Sequence, residues 1–134
     1  MRIFVDANVV ISALLFPGGK VAKVFAHVLE NHTVIISSYT KNECAEVFSK
    51  KFPEKSGLLD DFFDGISYEE FESPAEINTL NYPKIRDVKD LPVLASAILS
   101  DSDVLLTGDK DFCDVHIDKP LVFTPAQYYE LISP

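Results

Sequence analysis

Long apolar runs are missing from this sequence. Stretches such as Val9-Val10-Ile11 and Val34-Ile35-Ile36 break off after a few residues, far short of the ~20 that cross a bilayer, so no membrane partner is expected. Cysteine is scarce: Cys44 and Cys113 are the two in the chain. Their spacing builds neither a disulfide framework nor a zinc motif. The three histidines, His27, His32 and His116, are scattered, which removes the His-based zinc patterns as well. No repeat, low-complexity tract or linker breaks the chain. A charged residue, Asp6, arrives too early for a secretory signal. With reduced cysteines, that makes the cytoplasm the expected location. Positive charge is also in short supply, with 12 Lys and Arg against 21 Asp and Glu and a net charge of −9. A protein that grips nucleic acid through a broad basic face is therefore disfavoured.

The acids are unevenly spread. Residues 54–76 hold eight of them (Glu54, Asp60, Asp61, Asp64, Glu69, Glu70, Glu72 and Glu76) against the single base Lys55. The remaining 13 acids face 11 bases, so a basic strip elsewhere is compatible with the total. At 134 residues with 47% hydrophobic and 25% charged residues, the chain has the size and composition of one globular domain spanning residues 1–134.

Apolar segments of two periods alternate along it. Residues 2–6, 34–37, 104–107 and 121–123 read as short strands, several apolar on both faces, and 66–71 reads as a strand or sheet edge. Helical spacing predicts helices from Asn8 to the breaker Phe16-Pro17-Gly18-Gly19, and over 20–29, 41–50, 58–63, 91–99 and 125–131. Residues 73–87, with Pro74 and Pro83, read as loop. The alternation implies an α/β fold: a parallel central sheet sandwiched by helices, in three layers α/β/α.

In open parallel sheets, sites form beyond the carboxyl ends of the strands. Four acids fall at that edge: Asp6 after the first strand, Glu43 in the helix after the second, Asp90 before the helix 91–99, and Asp109 after the strand 104–107. They are 37, 47 and 19 residues apart. Each has a purely local explanation. Thr40-Lys41-Asn42-Glu43 matches a capping box. Asp90 before Leu91-Pro92 suits an N-cap. Asp6 suits the cap of the helix near Asn8, and Asp109 the turn from Lys110 to Cys113. Converged carboxylates repel one another, and a hard divalent cation removes that repulsion. Oxygen ligands without His or Cys suit Mg²⁺ or Mn²⁺.

These segments resemble the PIN domain family, the nuclease fold of VapC-type toxins and many RNA-processing proteins. "IFVDANVVISALL" resembles the family's first strand and helix, with Ala7 where threonine is common; "SYTKNECAEV" resembles the helix bearing the family's glutamate. "IRDVKDLPVLASAILSDSDVLLTGDKDF" resembles the third-acid helix, the next strand and the fourth-acid turn. The resemblance implies that Asp6, Glu43, Asp90 and Asp109 are catalytic metal ligands, with Asp111 a fifth ligand and Asn8 and Thr107 in support. It implies Mg²⁺- or Mn²⁺-dependent hydrolysis of single-stranded RNA. A toxin role would add an antitoxin protein as partner, and family members also form homodimers. Lys20, Lys41, Arg86 and Lys110 are the basic residues placed to guide an RNA backbone.

A rival reading keeps the fold and drops the chemistry, leaving an inactive PIN-like module that acts through protein or RNA contacts. Two other acid-bearing α/β classes fit less well. A receiver-type phosphorylation switch wants paired acids after the first strand, and a haloacid-dehalogenase phosphatase wants Asp-x-Asp. Asp6-Ala7-Asn8 supplies one acid.

Overall fold

In the computed structural model, which describes residues 1–133, five parallel strands form one sheet. They are β1 (Arg2–Val5), β2 (Thr33–Ser37), β3 (Glu69–Phe71), β4 (Val104–Leu106) and β5 (Leu121–Phe123), in the order β3-β2-β1-β4-β5. The three central strands are apolar on both faces because both faces are covered. Ile3, Val5, Val34, Ile36, Val104 and Leu106 pack into one core layer, and Phe4, Ile35 and Leu105 into the other. The weakly alternating segment 66–71 yields only the short edge strand β3, whose exposed Glu69 and Glu70 suit a sheet border.

The first layer is built from α1 (Ala7–Leu15), α2 (Lys20–Asn31), α3 (Ser38–Lys51), α4 (Ser56–Gly65) and α6 (Pro125–Ile132). Helix α1 buries Val9, Val10 and Ala13 at helical spacing. It stops at Phe16, after which the chain turns so tightly that a Cβ on Gly19 would lie 3.1 Å from the Phe16 carbonyl oxygen. Helix α6 begins at Thr124 with a complete capping box shared with Gln127 and Pro125 in its first turn. The second layer is mainly α5 (Leu91–Leu99), which buries Leu91, Val93, Leu94, Ala95, Ser96 and Ala97.

Several boundaries differ from the sequence reading: α4 runs Ser56–Gly65 where the spacing predicts 58–63, a 3₁₀ turn Thr79–Asn81 interrupts the loop 73–87, and the start of α3 bears on the site. Helix α3 begins at Ser38, not Lys41. The Ser37 hydroxyl, at the end of β2, accepts the Thr40 amide at 3.1 Å and caps the helix three residues early. Thr40 is thus inside the helix, its hydroxyl accepting from Ser37 at 3.0 Å, and the expected Thr40–Glu43 capping box does not form. Glu43 falls in the second turn, with no capping duty.

The connections position the site. From β1 to β2 to β3 the chain moves one way across the sheet through the first helical layer. From β3 to β4 it returns past β2 and β1, and crossovers of constant hand then require the opposite face, where α5 lies. Strands β1 and β4 are therefore neighbours whose following chain segments depart in opposite directions. A crevice opens between their carboxyl ends. Among the described residues no single helix is long and apolar enough to cross a membrane.

Candidate functional site

Asp6 is the first residue beyond β1 and is 5% exposed. Its Oδ1 accepts the Ala7 amide at 2.7 Å, capping α1. Its Oδ2 accepts the Thr107 hydroxyl at 2.7 Å and the Asn8 side-chain amide at 3.3 Å. Thr107 follows β4 directly and is fully buried. While donating to Asp6, its Oγ1 accepts from Asn8 Nδ2 at 3.3 Å and from the Asp109 amide at 3.0 Å. Asn8 closes the network by accepting the Gly108 amide on Oδ1 at 2.8 Å. The two strand ends are thus laced together by Asp6, Asn8 and Thr107. Glycine at 108 is a matter of proximity, since a Cβ there would meet Asn8 Oδ1 at 3.3 Å.

Asp109 caps the 3₁₀ turn Lys110–Asp114 by accepting the Asp111 amide at 2.9 Å. The local explanations for Asp6 and Asp109 therefore hold, and they do not prevent both side chains from lining a cavity. For Asp90 the local explanation fails. It precedes α5 but makes no capping bond. The cap of the preceding 3₁₀ turn Val88–Asp90 is Asp87, whose side chain accepts the Lys89 amide at 3.0 Å.

A cavity of about 230 Å³ is lined by Asp6, Asn8, Glu43, Asp90 and Asp109, with Ala7, Ile11, Val47 and Val93 as its apolar wall. All four sequence-predicted acids border it. They are not equivalent within it. Carboxylate oxygens of Asp90, Asp109 and Asp111 lie within 4.8 Å of one another; Asp6 and Glu43 stand outside that tight set. Glu43 Oε1 is buried and has no hydrogen-bond partner. An orphaned anionic oxygen is costly in a fold that satisfies nearly all buried polar atoms, and a cation would supply what it lacks.

The electrostatics carry the same strain. Burial first, then the charges of Asp6, Asp90 and Glu46, push Glu43 up to about 7. Burial and then Asp109, Asp87, Asp111 and Asp6 push Asp90 up to about 6. Asp6 is also raised by burial, against the lowering effect of its bonds from Thr107 and Ala7. Tyr39 borders these charges. Its phenol is raised by burial and then by Glu43 and Asp90, and it donates to the Lys89 carbonyl at 3.4 Å. From sequence, Tyr39 suggests only a stacking or packing residue; nothing local to it signals that α3 and the 3₁₀ turn at Lys89 meet.

The predicted basic residues divide. Arg86 Nη1 lies 3.5 Å from Asp111 Oδ1 on an otherwise exposed side chain, and exposed Lys110 directly follows Asp109. Lys41 instead pairs with Glu70 at 2.7 Å and donates to the Tyr68 hydroxyl at 3.0 Å. Lys20 lies over the Tyr129 ring. None of the four basic residues lines the acidic cavity itself, and Lys41 and Lys20 are engaged with Glu70 and Tyr129 instead of the acids. The reason is the same for both: a long cationic side chain on a helix takes the nearest carboxylate or ring in the neighbouring element.

Replacing Thr107 with valine keeps the shape and removes the hydroxyl on which Asp6, Asn8 and Asp109 converge. We expect Thr107→Val to lose about 1–3 kcal/mol in urea unfolding and to bind Mn²⁺ more weakly by titration calorimetry, with Thr107→Ser recovering most of both. A Thr107→Val protein that matches wild type in both measurements would mean the network positions nothing.

The fold is similar to the crystal structure of VapBC2 from Rickettsia felis bound to a DNA fragment from their promoter. The TM-score is 0.69 at 19% identity, over 92% of this chain and 98% of that one. No curated protein matches the sequence. The family described as PIN domain matches residues 2–111, a span that runs from β1 through the turn at Asp111 and takes in all five acids. The chain belongs to the PIN domain family.

Proposed function

We propose that this protein is a Mg²⁺- or Mn²⁺-dependent ribonuclease that hydrolyses phosphodiester bonds of single-stranded RNA. The observation that carries this reading is the buried, partnerless Glu43 oxygen in a cavity shared with three further acids. An all-oxygen donor set fits a hard divalent cation. Asp6, Glu43, Asp90 and Asp109 would hold it, and Asp111 extends the set on the solvent side.

When bound, such a cation supplies Lewis acidity toward water and the phosphate oxygens. The chain's own residues do the rest. Asp6 is fixed at both oxygens by Ala7 and Thr107, so its geometry is set before substrate arrives, which is the condition for electrostatic preorganisation. Asn8 and Thr107 hold β1 and β4 in register at the crevice. Arg86 lies against Asp111 and exposed Lys110 follows Asp109, and a phosphodiester backbone approaching an anionic pocket needs such positive charge. Hydrolysis of this type does not require the ribose 2′-hydroxyl, so preference for RNA arises in the binding surface.

The likeness to a VapBC2 assembly supports a narrower form of the proposal, in which the chain is the toxin of a toxin–antitoxin pair and binds an antitoxin protein. The deciding experiment uses purified protein and a fluorescent single-stranded RNA. Cleavage is expected with Mg²⁺ or Mn²⁺ and none with EDTA. Absence of cleavage with either cation, in protein that calorimetry shows to bind neither, would leave only the inactive binding module.

A further inference from the structure

A second, larger cleft of about 410 Å³ lies against the outside of the Val88–Asp90 turn. It is lined by Tyr82, Ile85, Val88 and Leu91, with Leu80 and Lys84 at its mouth. Tyr82 and Ile85 pack on the second core layer and are held there, while Leu80 is 90% and Val88 62% exposed. The cleft and the acidic cavity draw on neighbouring residues of one segment. Leu91 lines the first, and Asp90 and Val93 line the second; Asp90 and Leu91 have α-carbons ~3.8 Å apart. Arg86 lines neither, but it lies between them along the chain. It follows Ile85 in the chain and reaches Asp111 of the acid cluster.

The charge of this segment is unlike that of the chain. Residues 79–89 carry Lys84, Arg86 and Lys89 against Asp87 alone, in a protein of net charge −9. An apolar slot walled in part by Tyr82, with Lys84 in its lining and Asp90 next to Leu91 in the chain, has the chemistry of a nucleotide subsite. The base faces Tyr82 and Ile85, and its phosphate meets the cations. We propose that this cleft holds the nucleobase next to the scissile phosphate of single-stranded RNA, and that Arg86 grips the phosphate between the cleft and the acids. The proposal rests on the ribonuclease reading and adds to it the subsite that selects unpaired RNA, because a base stacked within a duplex cannot enter.

The test pairs changes in the protein with changes in the RNA. Val88→Asp and Leu80→Asp place negative charge at the cleft mouth on exposed side chains, so at least one is expected to fold as wild type by circular dichroism and urea unfolding. Binding of a short fluorescein-labelled oligoribonucleotide is followed by anisotropy in Mn²⁺ with the Asp6→Asn protein, and KM is measured in the Asp6 background. Each cleft substitution is expected to weaken binding and raise KM about tenfold. An oligonucleotide abasic beside the cleavage site should lose a similar factor with the unsubstituted cleft and little more with Val88→Asp, since both changes remove one contact. Each cleft substitution should leave Mn²⁺ affinity within about twofold of the protein it was made in. Cleavage of RNA with KM unmoved by both substitutions, or with additive penalties, overturns the cleft assignment and leaves the ribonuclease standing. Wild type that neither cleaves nor binds the RNA overturns both.

Discussion

Asp6→Asn should lower cation-dependent RNA cleavage on the order of a thousandfold or more while leaving the fold intact. The fold survives because the asparagine carbonyl can still accept the Ala7 amide that caps α1, although its NH₂ cannot replace the bond from Thr107, whose Oγ1 already accepts from Asn8 and from the Asp109 amide. The activity does not survive because the lost charge is the most buried of the four acids, at the junction of β1 and β4. The loss of the bonds from Thr107 and Asn8 is offset by no longer burying a charge and by the end of repulsion from Asp109, the burial first and the repulsion second in raising Asp6 in the wild type. Stability in EDTA should therefore lie within about 1 kcal/mol of wild type. Single-turnover cleavage and urea unfolding on the same preparations read both quantities. Retained activity at the wild-type rate would remove Asp6 from the site and the ribonuclease reading with it.

What is legible in the sequence follows from which signals are local. The buried strands at Ile3–Val5, Val34–Ile36 and Val104–Leu106 announce themselves as apolar runs, and their alternation with helices suffices for a parallel sandwich, which the structure has. Strand order is less local, yet the acid positions require only the rule that strand carboxyl ends share an edge. Helix starts are misjudged where two caps compete. Ser37 and Thr40 are both good caps three residues apart, and only the extended backbone at Ser37 decides between them. That shift is what leaves Glu43 without a local partner. The partnerless oxygen, the separation of Asp90, Asp109 and Asp111 from Asp6 and Glu43, and the pairing of Lys41 with Glu70 all depend on distances between elements remote in sequence. No periodicity encodes those distances. The cleft at Tyr82 is hidden for a related reason: residues 73–87 carry no periodic signal, and the segment closes a cleft only by folding back against Leu91 of α5.

The second large effect concerns stability, and its sign is opposite to that of most carboxylates. Glu43 is raised from 4.5 to about 7 and Asp90 from 3.8 to about 6, so between those values the folded chain holds more protons than the unfolded one. Stability then falls as pH rises: the contribution is fully present below the unfolded values and is lost as pH passes the folded ones. Both groups are partly solvated and mutually coupled, so the full shift does not convert to free energy. A decline of about 1–2 kcal/mol between pH 5 and pH 8 is expected in EDTA. Glu43→Gln removes one part of it. In EDTA the variant should be more stable than wild type at pH 8, by about 1 kcal/mol, and nearly equal to it at pH 5, where wild-type Glu43 is already protonated. Mn²⁺ should invert the order at pH 8, since a cation that binds the folded site stabilises wild type by mass action and the variant offers it one ligand fewer. Urea unfolding at two pH values, with EDTA and with Mn²⁺, gives all the comparisons from one protein pair. Wild type more stable than Glu43→Gln at pH 8 in EDTA would mean that the buried oxygen has a partner after all, and the physical case for a cation among these acids would fall with it.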